Sequence, residues 1–275
     1  MPTEKRARQK AARRKKRAAQ ARKVRTRRRL RSGGLLAGGA AAVLLLVLFS
    51  AGVFSGSPSK PTSGAKKPKT ETAATTQSAA NKAAVAAGCK SSPTARANTL
   101  SWKTPPAMSI GTTKTYTATV ETTAGSFTIT LDATTAPTTV NNFVFLADQG
   151  FYDCNTFHRV IPGFMDQTGD PTGTGSGGPG YEFANENVPT QYESGDVAMA
   201  NSGGTDTNGS QFFVVDPGGA STLDTDLKTG DGYSLFGKVT SGMSVVKKIN
   251  SLGGTTATGK PKVTERILKI TVHSS

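Results

Sequence analysis

The chain is poor in the residues that most enzymes use for covalent or metal chemistry. Its 275 residues include only two histidines, His158 and His273, and two cysteines, Cys89 and Cys154. Two histidines argue against a His-based zinc site. A Ser–His–Asp hydrolase would need His158 as its base, and no serine stands in a nucleophile elbow. The sequence therefore predicts chemistry that uses no metal ion and no cofactor.

Acidic residues are almost absent from the N-terminal segment. Residues 1–31 hold 16 Lys or Arg residues and a single acidic residue, Glu4, whereas the remaining 244 hold 18 basic and 17 acidic residues. The formal net charge of +16 is thus a local property of a tail. No aromatic residue interleaves this tail, so nucleic acid is not an expected partner, and contact with anionic lipid heads is the simpler interpretation.

An uncharged stretch follows the tail, from Gly33 to Phe54. At about 1.5 Å per residue its helix would span about 33 Å, enough for a bilayer core of ~30 Å. The basic flank places the N-terminus in the cytoplasm. We expect a cytoplasmic tail over 1–32, an uncleaved signal-anchor helix over 33–54, and an extracytoplasmic remainder, as in a single-pass protein of the cell membrane. A cleaved signal peptide is the competing interpretation and gives the remainder the same location.

Residues 55–111 contain few large apolar side chains and many Ser, Thr, Ala, Lys and Pro. Such a composition predicts a disordered or extended linker. Trp102 is expected to pack on the edge of the domain that follows. For Cys89 and Cys154, a disulfide formed in an oxidising compartment and two free thiols both remain open.

Residues 112–275 have the pattern of one mainly β domain. Phe127, Ile129 and Leu131 alternate with polar residues, and the turn at 122–125 joins them to an earlier strand over 116–120. Further strands are predicted at 197–200, 212–215, 235–239 and 267–272. Apolar residues at helical spacing predict two helices, one opened by Pro137 and one by Met243. Many short strands with two helices indicate a closed or nearly closed barrel.

Two runs within this domain concentrate the unusual side chains. The first is Phe157-His-Arg-Val-Ile-Pro-Gly-Phe-Met-Asp-Gln-Thr-Gly-Asp170, and the second is Met199-Ala-Asn-Ser-Gly-Gly-Thr-Asp-Thr-Asn-Gly-Ser-Gln-Phe-Phe213. They bring one arginine together with apolar side chains and neutral amides, and they offer no activated nucleophile. Such a site suits a neutral, apolar substrate whose covalent bonds stay intact. Together the two runs closely resemble the signature of cyclophilin-type peptidyl-prolyl cis-trans isomerases, here in a bacterial membrane-anchored form.

The resemblance implies a fold, an activity and a site. The fold would be a closed eight-stranded antiparallel β-barrel capped by two helices, a domain that needs no oligomeric partner. The activity would be rotation of X–Pro bonds in unfolded exported or cell-surface proteins, with Arg159 stabilising the twisted amide, assisted by Phe164 and Gln167. The residues that would bind the proline-containing peptide are His158, Met165, Gly173, Ala200, Asn201, Gln211, Phe213, Leu223 or Leu227, and Tyr233. A non-catalytic peptide-binding chaperone on the same fold is the alternative.

The chain departs from the family pattern at three places. Its only tryptophan, Trp102, precedes the domain, so a tryptophan linked to cyclosporin binding has no counterpart and sensitivity to cyclosporin is in doubt. Tyr233 stands where many members have histidine. The stretch from Gly218 to Asp231 is longer than usual, which leaves open whether Leu223 or Leu227 lines the pocket.

Overall fold

The computed structural model describes residues 72–227, 232–254 and 258–275. The predicted tail over 1–32, the predicted membrane helix over 33–54 and the first part of the predicted linker lie outside these residues. Within the described ranges, no helix combines the length and the hydropathy that a membrane span requires.

Eight strands and four helices make up the described part of the chain. In chain order they are α1 (Ala73–Ala86), β1 (Tyr116–Thr122), β2 (Gly125–Leu131), α2 (Pro137–Asp148), β3 (Arg159–Ile161), β4 (Met165–Thr168), β5 (Asp196–Met199), β6 (Phe212–Val215), α3 (Ala220–Leu227), β7 (Leu235–Ser241), α4 (Met243–Ser251) and β8 (Ile267–Ser274). The six strands and two helices predicted from the sequence are all present. Strands β3 and β4 and helices α1 and α3 were not predicted.

The strands form one antiparallel sheet in the order β3-β4-β6-β5-β7-β2-β1-β8. Its two ends approach each other just outside β3 and β8, where Thr156 forms an isolated antiparallel bridge with Arg266. The backbone N–H of Cys154 also donates to the carbonyl of Ile267 at 2.9 Å. The prediction of a mainly β, eight-stranded antiparallel fold is confirmed. The structure shows a curled sheet whose ends meet through this short contact rather than a closed barrel with a full ladder between β3 and β8.

Helix α2 packs on β8 and covers one part of the curled sheet. Its buried residues include Val140, Phe143 and Ala147, the face predicted from their spacing. The ring of Phe143 lies 5.3 Å from that of Phe236 and 5.5 Å from that of Phe212, so an aromatic group fills the interior of the sheet. Helix α4 packs against β2, β3 and β4, and therefore supports the hairpin that carries Arg159.

The prediction of a disordered or extended linker over 55–111 is wrong over Ala73–Ala86, which form helix α1. Helix α1 docks on the domain through Gln77, whose Oε1 accepts from the backbone N–H of Thr264 at 2.7 Å. The buried guanidinium of Arg266 donates to Asn81 Oδ1 at 2.9 Å. Polar contacts with distant residues stabilise this helix, and they compensate for the shortage of large apolar side chains within it.

The segment that follows α1 is joined covalently to the domain. Cys89 and Cys154 form a disulfide, with their Cα atoms 5.5 Å apart. Of the two states left open by the sequence, the structure therefore has the bonded one. Trp102 packs with its ring edge-on to Phe145, 5.1 Å between centroids, which confirms its expected place on the domain.

Candidate active site

The hairpin of β3 and β4 places the candidate catalytic arginine. Arg159 lies directly opposite Gln167 in the antiparallel register, and its Nη1 donates to Gln167 Oε1 at 3.3 Å. The same Nη1 lies 3.9 Å from the sulfur of Met165. The guanidinium carbon is 5.9 Å from the centre of the Phe164 ring, within cation–π range. Amide, thioether and ring together hold the cation in one orientation.

A second hydrogen bond extends this arrangement beyond the hairpin. Gln167 Nε2 donates to Gln211 Oε1 at 2.9 Å, and Gln211 Nε2 donates to the carbonyl of Gly177 at 2.8 Å. The two amides thus connect Arg159 to the glycine-rich loop, residues 171–180. Each amide uses its oxygen as acceptor and its nitrogen as donor, which fixes their orientation.

An apolar cluster lies beside the arginine. Phe213 on β6 is the register partner of Gln167 on β4 and of Ala198 on β5. Its ring meets that of Tyr233 edge-on at 5.2 Å. The buried members of the cluster are Met165, Tyr192, Ala198, Phe213, Val215 and Leu223, and its partly buried members include Phe164, Ala200 and Tyr233. A cation at the edge of an apolar surface suits a neutral ring attached to a polarisable amide.

A cavity of about 780 Å³ adjoins this cluster. Four of the predicted site residues, Gln167, Ala200, Asn201 and Gln211, contribute to its wall, and much of the remainder comes from the glycine-rich loop. The side chain of Asn201 donates to the carbonyl of Gly232 at 3.0 Å. Asn201 therefore fixes the chain around the cavity as well as lining it.

The electrostatics keep one positive charge in the site at neutral pH. Burial lowers the pKa of Arg159, and the attraction of Tyr233 opposes this, yet a guanidinium stays protonated. Burial also lowers the pKa of His158, against the attraction of the Asp170 carboxylate. His158 is thus neutral at pH 7, as its predicted role as a pocket residue requires.

Asp170 is a structural determinant of the site that the sequence pattern does not predict. Its Oδ1 accepts from Thr172 N–H and Oγ1, both at 2.7 Å, and its Oδ2 accepts from the N–H groups of Thr174, Gly175 and Gly177 at 3.0, 2.7 and 3.1 Å. Burial alone would raise the pKa of Asp170, but these hydrogen bonds outweigh it, so that the pKa lies below its usual value. A Cβ added to Gly177 would lie 2.0 Å from Asp170 Oδ1, so only glycine fits there.

A second buried acidic side chain supports the hairpin from its other face. Asp166 alternates with Met165 and Gln167 along β4, and its Oδ1 accepts from Asn250 Nδ2 of α4 at 2.7 Å. Asn250 Oδ1 in turn accepts from the N–H of Gly163, in the turn before Phe164. Burial raises the pKa of Asp166 to about 8, although the Asn250 hydrogen bond favours the charged form.

The structure brings most of the predicted site residues together. One group surrounds the apolar cluster and the adjoining cavity: Arg159, Phe164, Met165, Gln167, Ala200, Asn201, Gln211, Phe213, Leu223 and Tyr233. His158 faces the glycine-rich loop, where a Cβ on Gly175 would lie 3.8 Å from its ring. Gly173 belongs to that loop outside the cavity wall. Of the two leucines, Leu223 is buried in the cluster, and the side chain of Leu227 lies outside the described part.

No group of three or more metal-ligating side chains occurs among the described residues. Of the acidic side chains beside the site, Asp170 accepts hydrogen bonds at both oxygens, and Asp166 accepts one at Oδ1. What the site offers is therefore a fixed cation, neutral amides and an apolar surface. These groups suit binding and charge stabilisation rather than covalent chemistry.

The chain matches known proteins over the same region. The family model for "Cyclophilin type peptidyl-prolyl cis-trans isomerase/CLD" matches residues 117–272. Peptidyl-prolyl cis-trans isomerase B of Bacillus subtilis is 47% identical over 118 residues, which cover 42% of this chain and 77% of the relative. A peptidyl-prolyl cis-trans isomerase of Helicobacter pylori is 44% identical over 141 residues, covering 50% of this chain and 81% of the relative.

Solved structures give the same result for the fold. A crystal structure of a cyclophilin type peptidyl-prolyl cis-trans isomerase from Cryptosporidium parvum superimposes with a TM-score of 0.52 at 30% identity, covering 58% of this chain and 99% of that one. The curled eight-stranded sheet, the two signature runs and these relatives agree. The chain belongs to the cyclophilin-type peptidyl-prolyl cis-trans isomerase family.

Proposed function

We propose that the chain accelerates X–Pro bond rotation by electrostatic stabilisation of the twisted amide by Arg159. The barrier of ~18–20 kcal/mol comes from amide resonance, and twisting the C–N bond localises a lone pair on the prolyl nitrogen. A donor cation aimed at that nitrogen lowers the barrier without any proton transfer. The observation that carries the proposal is the guanidinium fixed by Gln167 beside an apolar cluster.

The apolar cluster would hold the proline ring during this rotation. Phe213, Met165 and Leu223 are almost fully buried from solvent, whereas Phe164 and Tyr233 are partly exposed at the margin. A ring seated on this surface leaves the preceding carbonyl free to turn. A solved cyclophilin from Cryptosporidium parvum, similar to this chain with a TM-score of 0.51 and 32% identity, was determined in the presence of the dipeptide Ala-Pro. We expect the same class of ligand here.

The test is an NMR exchange assay of a proline-containing peptide with the full chain in detergent micelles. Arg159→Ala should lower kcat/KM by about 10²- to 10³-fold, the effect of removing one preorganised charge donor. Arg159→Lys should retain an intermediate rate, because it keeps the charge and loses the rigid fork. Lys114→Ala, which removes one exposed positive charge elsewhere on the domain, serves as the control. A folded wild-type chain that binds the peptide without accelerating exchange would support the non-catalytic chaperone instead.

We also propose that the enzyme is a single-pass protein of the bacterial cell membrane and acts on exported proteins. The uncharged stretch from Gly33 to Phe54 and the basic tail before it support the anchor and its orientation. The disulfide between Cys89 and Cys154 supports an oxidising, extracytoplasmic compartment. External protease added to spheroplasts should degrade the domain and spare the tail. Protection of the domain until the cells are lysed would contradict this orientation.

A further inference from the structure

A segment outside the matched family region contacts the wall of the cavity. Residues 89–102, here called the strap, precede the family match, which begins at residue 117. The backbone N–H of Ala97 donates to the carbonyl of Pro171 at 2.7 Å, and that of Trp102 donates to the carbonyl of Pro179 at 2.8 Å. Pro171 and Pro179 stand near the two ends of the glycine-rich loop. The strap therefore bonds the loop at Pro171, before the part that lines the cavity, and at Pro179, within that part.

The contact at the second end is close. A Cβ added to Gly180 would lie 2.2 Å from Ser101 Oγ and 2.6 Å from the carbonyl oxygen of Trp102. Gly180 also has a φ of +95°, a conformation that favours glycine. The loop and the strap thus meet backbone to backbone, with no space for a side chain between them.

The strap itself is held firmly at both ends. Its first residue, Cys89, is bonded to Cys154, and the Arg266 guanidinium donates to the carbonyl of Lys90 at 2.6 Å. At its other end, the Trp102 ring packs on Phe145 at 5.1 Å. These anchors make the strap a fixed support and not a loose tail.

The loop needs such a support. Between Pro171 and Gly180 it contains five glycines, each of which increases the backbone freedom that folding must restrict. Asp170 organises the first half of the loop through its hydrogen bonds, which reach as far as Gly177. Beyond Gly177, the bond from Trp102 to Pro179 and the close packing at Gly180 hold the chain.

We propose that the strap is a positioning element of the substrate site: it fixes the glycine-rich loop and thereby sets the affinity for peptide residues that extend from the proline into the cavity. This inference rests on the proposed isomerase function. It assigns to Cys89 and Trp102 an effect on substrate binding that they exert through the loop, without contact with the reacting bond. It also predicts that the effect depends on peptide length, because a minimal Ala-Pro unit would reach only the apolar cluster.

The experiment compares two peptides on the full chain in detergent micelles. One is a blocked Ala-Pro dipeptide, and the other carries three further residues before the alanine. Cys89→Ala removes the covalent anchor, and Trp102→Ala removes the packing anchor independently. Leu100→Ala is the matched control, since its side chain is on the strap and exposed. NMR exchange gives KM and kcat, and hydrogen exchange reports the protection of loop amides at 172–178.

We expect both anchor variants to raise KM for the long peptide at least about threefold, with kcat and the dipeptide kinetics unchanged and loop amides less protected. Leu100→Ala should behave like the wild type. The proposal would be overturned if the anchor variants lose activity equally towards both peptides. It would also be overturned if the wild type is active and the anchor variants have unchanged kinetics with both peptides. If the wild type accelerates neither peptide, the proposed isomerase function fails. The role of the strap is then decided by comparing the wild type with the anchor variants in two quantities, the protection of the loop amides and the affinity for the long peptide.

Discussion

Asp170→Asn is the substitution whose effect follows most directly from the geometry. The carboxylate accepts five hydrogen bonds, two at Oδ1 and three at Oδ2. An asparagine has one oxygen, so even if it serves the three donors at Oδ2, its amide nitrogen then faces the N–H of Thr172. The bond from the Thr172 N–H is lost, the bond with Thr172 Oγ1 reverses because a hydroxyl can accept from the amide nitrogen, and the three bonds at the oxygen lose their ionic character.

The size of the effect can be worked from these bonds. A hydrogen bond to a charged group contributes about 1.5–3 kcal/mol and a neutral one about 0.5–1.5. One lost bond and three bonds weakened by about 1–1.5 kcal/mol each would sum to about 4.5–7.5 kcal/mol, but neighbouring bonds are not additive, and the neutral side chain costs less to bury. We therefore expect Asp170→Asn to lower the free energy of unfolding by about 2–3 kcal/mol at pH 7.

The assay is urea unfolding of the full chain at a series of pH values, with exposed Asp206→Asn as the control. Because the folded-state pKa of Asp170 is lowered, its ionised form stabilises the protein above the unfolded-state pKa of about 3.9. The difference between wild type and variant should stay constant from pH 7 to about 5 and shrink as the pH falls through the folded-state pKa. If the difference in the free energy of unfolding between wild type and Asp170→Asn persists or grows in acid, the prediction is wrong. It is also wrong if Asp170→Asn is as stable as the Asp206→Asn control.

Two further predictions concern buried groups away from the glycine-rich loop. The pKa of Asp166 is raised to about 8, so its protonated form stabilises the fold. As the pH rises from 4 to 8, the free energy of unfolding of the wild type should fall relative to that of Asp166→Asn by up to about 1.4 kcal/mol per pH unit, and the difference should level off above pH 8. Urea unfolding of both proteins at each pH measures this difference, and a difference that does not change with pH would contradict the prediction. Arg266→Met should release α1, because the guanidinium donates to Asn81 and to the carbonyl of Lys90. Trypsin should then cleave after Lys82 and leave the domain intact. If the variant resists trypsin as well as the wild type does, Arg266 does not anchor α1.

Sequence patterns were sufficient where a single element carries its own signal. Phe127, Ile129 and Leu131 alternate over a full strand, and Pro137 opens a helix with a regular apolar face, so β2 and α2 were predictable. Strands β3 and β4 were missed because they are short and contain charged and polar residues, whereas the equally short β6 is an uninterrupted apolar run. Pro162 and Gly163 also separate the two strands. Their extended form depends on pairing with each other and with β6, which is not a local property.

Most of the site residues lie in the two signature runs and were predictable from them, and the features missed were those built by distant contacts. Helix α1 has no large apolar face, and its docking depends on Thr264 and Arg266, almost 190 residues later in the chain. Asp170 precedes a run of Thr and Gly that has the composition of a solvated loop. A carboxylate followed by closely spaced glycines was the available signal, since their N–H groups can converge on one acceptor.

The position of β8 in the sheet has a consequence for the order in which the protein can be completed. It pairs along β1, and its first residue also bonds to Cys154, so this last strand in chain order joins the two ends of the sheet. During synthesis, β1 is made early and would present a free edge until β8 follows. The backbone hydrogen bond from Cys154 to Ile267 also forms only when that strand is in place. An enzyme of prolyl folding is therefore itself exposed to misassembly until its own final strand has arrived.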